Sequence, residues 1–158
     1  MVLKACPNVS LSVRARLEKR IGPLGDRVVE VPQISLQDYV RLFGGAHVAL
    51  EPFPFGGSIT SLDAFEGGAP VVALAPQAGR PALTVALYAI AGVDCCVAAT
   101  VEAYADLAVD IAKSPAKRAA ASAAIAGGRD RLYESAAAVR EVEDFFERAL
   151  RSVAAAAG

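Results

Sequence analysis

Along this chain short apolar runs that suit strands alternate with stretches whose apolar residues recur at helical spacing. Met1 to Ala5 reads as a strand. Leu11, Val13, Leu17 and Ile21 then give a helix face, with Arg14, Arg16, Glu18 and Lys19 on the wet side, until Gly22, Pro23 and Gly25 stop it. Val28 to Val31 reads as a second strand, and Ser35 caps a short helix holding Tyr39, Val40 and Phe43. Two more strand runs, His47 to Leu50 and Pro70 to Leu74, flank the centre of the chain. A loop at Ala75 to Pro81, a helix from about Ala82 to Ala91 and a short strand at Cys95 to Val97 follow.

Thr100 caps the next helix through its hydroxyl, as a simple cap, because Ala103 stands where a full capping box needs Glu or Gln. Val101, Tyr104, Leu107, Ala108 and Ile111 form its apolar face as far as Lys113. Pro115 opens another helix, broken near Gly127-Gly128, and Ala136 to Ala157 forms the last. There Val139, Val142, Phe146, Leu150 and Val153 fall on one stripe, so residues 134–157 are expected to strap across a neighbouring surface. The alternation of strand and helix predicts an α/β fold: one domain over residues 1–158, with an open parallel sheet and helices on both faces.

The densest chemical signal lies between the two central strand runs, in EPFPFGGSITSLDAFEGGAPVV. Strand, glycine loop, helix start and strand in that order make a phosphate-binding βαβ unit. Gly56 and Gly57 permit torsions and close approach that other residues resist. Ser58, Ile59 and Thr60 present amides and two hydroxyls where a helix begins and its dipole favours an anion. An ordinary helix cap is the alternative reading of the same residues. Asp63, one turn past Thr60, can accept hydrogen bonds from two ribose hydroxyls or complement the helix dipole.

Composition narrows the rest. The 158 residues are 54% hydrophobic and 21% charged, which suits a folded domain rather than a disordered segment. A net charge of −1 without a basic stripe argues against nucleic-acid binding. No apolar run approaches the length of a membrane span, and the N-terminus makes a poor secretory signal, so a cytoplasmic location is expected. Cys95 and Cys96 are adjacent and Cys6 is distant, a spacing unsuited to a metal site; all three read as reduced packing residues. His47, the single histidine, has no partner that would make it a general base and is expected to be structural.

The central motif resembles the nucleotide-sugar loop of the O-linked N-acetylglucosamine transferase family, which includes the SPINDLY-like protein O-glycosyltransferases. Bacterial members read close to D-P-F-P-Y-N-G-G-T-T-x-x-D-A-L-x-x-G-V-P-V-V. The similarity extends to Arg27–Pro32 and Ser35–Tyr39 upstream, and to Val101–Ala112 and Leu132–Leu150 downstream. The resemblance implies a GT-B architecture, in which two Rossmann-like halves face each other across a cleft, this chain matching the C-terminal half. It implies a UDP-sugar donor such as UDP-N-acetylglucosamine and a protein or peptide acceptor brought by the other half, with no metal and no further cofactor.

Carried over residue by residue, the resemblance implies that Gly56, Gly57, Ser58, Ile59 and Thr60 hold the distal phosphate and that Asp63 binds ribose. The backbone of Ile34 would meet the base edge. Tyr39 stands where the family stacks a ring on uracil, although beside Val40 and Phe43 it also reads as a core aromatic. Arg80 is placed to pair with phosphate, whereas the family carries its arginine nearer the position of Ala82. Glu51 is expected to orient the turn at residues 52–55.

No catalytic residue is assigned in this chain. The lysine that the family uses for the leaving group falls upstream of the region matching Val2-Leu3, and the histidines of the other half have no counterpart. The expectation is a donor-binding half, inactive without its partner half. The alternatives are a catalytically silent nucleotide-binding or interaction module and a fragment of a UDP-sugar epimerase, for which no acid/base cluster is visible.

Overall fold

The two central strand runs do pair in parallel across a helix. In the computed structural model β3 (Ala49–Leu50) lies beside β4 (Val71–Leu74), with Ala49 opposite Val71 and Leu50 opposite Val72. The helix between them, α3 (Ile59–Glu66), supplies the crossover that parallel pairing requires. The structure describes residues 2–4, 11–76 and 82–156. It divides into two units, residues 1–42 and 43–158.

In the first unit β1 (Val2–Lys4) pairs in parallel with β2 (Val29–Val31), Val2 facing Val29. They are joined through α1 (Leu11–Ile21) and a 3-10 turn, Gly22–Arg27, that follows the expected helix stop. The helix α2 (Leu36–Gly44) begins as expected at Ser35. The Ser35 hydroxyl accepts from the Asp38 amide at 3.1 Å and donates to the Asp38 carboxylate at 2.7 Å. That hydrogen bond, helped by Arg41, lowers the Asp38 pKa below its ordinary value.

In the second unit β5 (Val97–Ala98) joins the other edge of β4, again in parallel, giving the order β3-β4-β5. It starts two residues later than the apolar run predicts, because Cys95 and Cys96 form a turn. All four residues of β4 are buried, as a strand with neighbours on both edges and cover on its faces must be. The helices α4 (Leu83–Ala91) and α5 (Val101–Lys113) pack with α3 against β4. Next, α6 (Pro115–Gly128) packs on α3, α4 and α5. Phe65, Val72, Tyr88, Ile111 and Ile125 are central to the resulting core.

Local chemistry sets the helix limits. Thr100 accepts the Ala103 amide at 3.1 Å, the simple cap expected of it, and Ser114 does the same for Lys117 in front of Pro115. A Schellman pairing ends α3: Gly68 donates to Phe65 and Ala69 to Ala64. A 3-10 turn at Arg129–Leu132 ends the α6 segment next to its expected break, and α7 (Ala136–Ala156) closes the chain. The α7 stripe of Val139, Val142, Phe146, Leu150 and Val153 is exposed.

The architecture is α/β, with parallel strands flanked by helices, which agrees with the Rossmann-like half expected of a GT-B glycosyltransferase. Among the described residues no helix is long and apolar enough to cross a membrane.

Candidate functional site

Chain direction delivers the glycine loop to the carboxyl end of β3, where ligands of open α/β sheets collect. Glu51 to Ser58 run from β3 to α3, so Gly56, Gly57, Ser58, Ile59, Thr60 and Asp63 come together in a single loop and helix start. Two aromatics stand before them. The Phe53 ring meets Tyr104 edge-on with centroids 5.3 Å apart, while Phe55 is exposed; the Phe53-Pro54 peptide is cis.

Both glycines are fixed by close approach. A Cβ on Gly56 would lie 2.6 Å from Glu51 Oε1, and one on Gly57 would lie 2.7 Å from the hydroxyls of both Ser61 and Thr60. Glu51 and Ser61 are buried and cannot yield freely, whereas Thr60 is exposed.

The amides of the loop are divided between protein and solvent. Gly57 donates its N–H to Glu51 Oε1 at 3.0 Å, so that amide already has an anionic partner. Ser61 and Leu62 both donate to the Ser58 carbonyl, at 3.1 and 3.2 Å. For the amides of Ser58, Ile59 and Thr60 no acceptor stands among the described residues, and all three residues are exposed. The Ser58 hydroxyl makes no capping bond, so the loop is not a side-chain N-cap of the ordinary kind. What remains open at the start of α3 is therefore a row of three amides on the positive end of a helix dipole. Half-buried Asp63 lies one turn further along α3.

Behind the loop stands a polar cluster that the sequence pattern did not reveal. Glu51 is 7% exposed, Ser61 3% and Thr84 0%. Thr84 donates to Glu51 Oε1, and Ser61 Oγ lies 2.7 Å from Thr84 Oγ1. Glu51 was expected to orient the turn at residues 52–55; its carboxylate instead holds the Gly57 amide and the Thr84 hydroxyl. Its backbone carbonyl accepts from the Tyr104 hydroxyl at 2.8 Å. Burial, and then the charge of Glu51, push the Tyr104 pKa up to about 12. The available signal was Thr84 itself, a lone hydroxyl in the otherwise apolar run Leu83–Ala91 apart from Tyr88.

Ile34 and Tyr39 belong to the first unit, where both are half-buried. Arg80 lies outside the described residues. His47 is exposed at the approach to β3. Cys95 is exposed and Cys96 buried, with sulfurs 3.8 Å apart and no disulfide, so only Cys96 packs as expected; Cys6 lies outside the described residues. Burial, reinforced by Cys95, raises the Cys96 pKa to about 12, which keeps that thiol protonated and unreactive. Among the described residues no cluster of three or more His, Cys, Asp or Glu side chains is arranged to hold a metal ion.

This chain has a glycosyltransferase-like fold, by its likeness to a solved structure. Among solved structures it is similar to a point mutant of the Thermobaculum terrenum O-GlcNAc transferase, with a TM-score of 0.78 and 24% sequence identity over 99% of this chain. The chain spans 31% of the length of that protein. No protein-family model and no curated protein matches the sequence.

Proposed function

We propose that this chain is the nucleotide-sugar-binding half of a protein O-glycosyltransferase, acting in the cytoplasm on serine or threonine of a protein or peptide acceptor. The observation that carries the reading is the row of open amides at Ser58, Ile59 and Thr60 on the N-terminus of α3. The likeness in fold to an O-GlcNAc transferase supports it. A diphosphate suits those donors, because it brings charge to the positive end of the helix and several acceptor oxygens to adjacent N–H groups.

In this reading the donor is UDP-N-acetylglucosamine or a related UDP-sugar. Gly56, Gly57, Ser58, Ile59 and Thr60 form the phosphate loop, Asp63 accepts from the ribose hydroxyls, and Ile34, Tyr39 and Arg80 serve base and phosphate. Transfer is displacement at the anomeric carbon, in which charge develops on the departing UDP diphosphate. The amides lower that barrier by meeting the charge with donors already oriented. Acceptor binding falls to a second half, so the chain alone is expected to bind UDP without turnover.

A second reading, a catalytically silent module, is favoured by one observation: the Gly57 amide is already taken by Glu51. Titration of UDP by calorimetry separates the two. Saturable heat that is weakened by Asp63→Ala and by Thr60→Ala supports the donor-binding half. No heat with the wild-type chain supports the silent module.

A further inference from the structure

We infer that Glu51 is the positioning residue of the glycine loop: a buried carboxylate that grips the Gly57 amide and so aims the next three amides outward. The inference rests on the reading of this loop as a diphosphate site. Its first support is the way Glu51 is itself held. The Glu51 amide donates to the Val72 carbonyl at 3.0 Å, and the Glu51 carbonyl accepts from Tyr104 at 2.8 Å, so the residue is anchored on both sides of its backbone. The side chain is fixed by Thr84, which belongs to α4 and is fully buried. None of these anchors lies in the loop.

The direction of the hydroxyl chain follows from proton count. Thr84 has a single proton, and the carboxylate can only accept it, so the Ser61 hydroxyl must be the donor to Thr84. Ser61, Thr84 and Glu51 thus form a directed relay that ends on Oε1, and the same oxygen accepts from Gly57 at 3.0 Å. The loop is bound to the sheet and α4 chiefly through that atom, with a longer contact of 3.5 Å between the Thr84 hydroxyl and the Gly57 carbonyl beside it. Gly56 completes the fit, since a side chain there would run into the carboxylate.

Two effects separate at this residue. Geometry favours a ligand, because a loop already ordered loses less conformational entropy on binding. Charge opposes it, because an anion behind the loop repels a second anion. Since both hydrogen bonds meet a single oxygen, the carbonyl oxygen of glutamine can accept both. Glu51→Gln therefore keeps the geometry and removes the charge, whereas Glu51→Ala removes both.

The test combines UDP calorimetry with amide hydrogen exchange at Gly57 by NMR in wild type, E51A, E51Q, T84V and T84S. Expected results are a protected Gly57 amide in wild type and E51Q and an unprotected one in E51A. UDP affinity should fall about tenfold in E51A, a loss of about 1.4 kcal/mol, and be equal or tighter in E51Q. T84V should weaken UDP and T84S restore it, which gives a second route should E51A fail to fold. Equal UDP affinity in wild type, E51A and T84V overturns the inference, as does an unprotected Gly57 amide in wild type. If wild type ignores UDP but Gly57 is protected through Glu51, the donor-binding reading fails while the positioning of the loop by Glu51 stands.

Discussion

The hydroxyl of Tyr88 completes the hydrogen bonding of Val71, donating to its carbonyl at 2.7 Å and accepting from its amide at 2.9 Å. On one edge of β4 the groups of Pro70 and Val72 serve β3, through Ala49 and Glu51; on the other, β5 engages only from Ala73 onward. Val71 would face that second edge with an orphan donor and acceptor, and a tyrosine from α4 stands in for the missing strand. Tyr88 is fully buried, packed 4.9 Å from the Phe65 ring between centroids. Burial drives its pKa far above the ordinary tyrosine range, so the proton that Val71 needs stays in place. Tyr88→Phe keeps the ring and leaves two buried backbone groups unpaired. The expected loss is about 2 to 4 kcal/mol in urea unfolding with an unchanged denaturant slope. A change within about 0.5 kcal/mol would show that Val71 finds other partners.

Tyr88 also marks where the sequence stopped being legible. The βαβ centre could be read, because strand runs, two glycines and a helix start each carry a local signal at Ala49–Leu50, Gly56-Gly57 and Ile59. Helix limits at Ser35, Thr100 and Pro115 were legible for the same reason. The run Leu83–Ala91 reads only as apolar helix, and nothing local says that Thr84 turns to Glu51, 33 residues away, or Tyr88 to Val71, 17 residues away. Such contacts are set by which elements the fold brings side by side. The short strands β3 and β5 fall under the same limit: their apolar runs are longer, but a ladder extends only as far as its neighbour does.

The fit of Gly56 against Glu51 predicts a coupling between substitutions. Gly56→Ala sets a Cβ at 2.6 Å from Oε1 and 2.8 Å from Cδ of a side chain that cannot swing away, since Thr84 and Gly57 hold it. A cost of about 1 to 3 kcal/mol is expected, the usual range for overpacking. In a Glu51→Ala background the three atoms nearest that Cβ are gone, and the same substitution should cost little. A double-mutant cycle by chemical denaturation measures the difference. Strict additivity of the two changes would mean that Gly56 is needed for some other reason.

High pH should weaken the fold through Tyr104. Its pKa is raised from 10.0 to about 12, first by burial and then by the Glu51 charge. A raised folded-state value means that the fold favours the protonated form. The stabilisation is complete below the unfolded pKa near 10 and is lost as pH rises through about 12. Cys96, raised to about 12 from 9.0, acts in the same direction over a window that opens lower. Melting temperature followed from pH 8 upward should be level at first and then fall progressively. In Tyr104→Phe the baseline should drop, because the Glu51 carbonyl loses its donor, while the alkaline decline becomes shallower. A wild-type profile that stays flat through pH 11 would contradict both assignments.

The last helix separates amphipathic pattern from packing. Val139, Val142, Phe146, Leu150 and Val153 form the stripe that the sequence predicts, yet Phe146 is 60% exposed and Leu150 71%. Residues of α7 that face solvent add little to the folded state beyond helix propensity, since stability from an apolar side chain scales with the area it removes from water. Phe146→Ala should therefore change unfolding free energy by no more than about 0.5 kcal/mol, and Leu150→Ala by a similar amount. For comparison, truncating the fully buried Ile125 of α6 should cost about 2 to 5 kcal/mol. Urea titrations of the three variants decide the matter. A loss of 2 kcal/mol or more at Phe146 would mean that the stripe is covered in solution, whereas near-neutrality would leave it as free apolar surface on a folded chain.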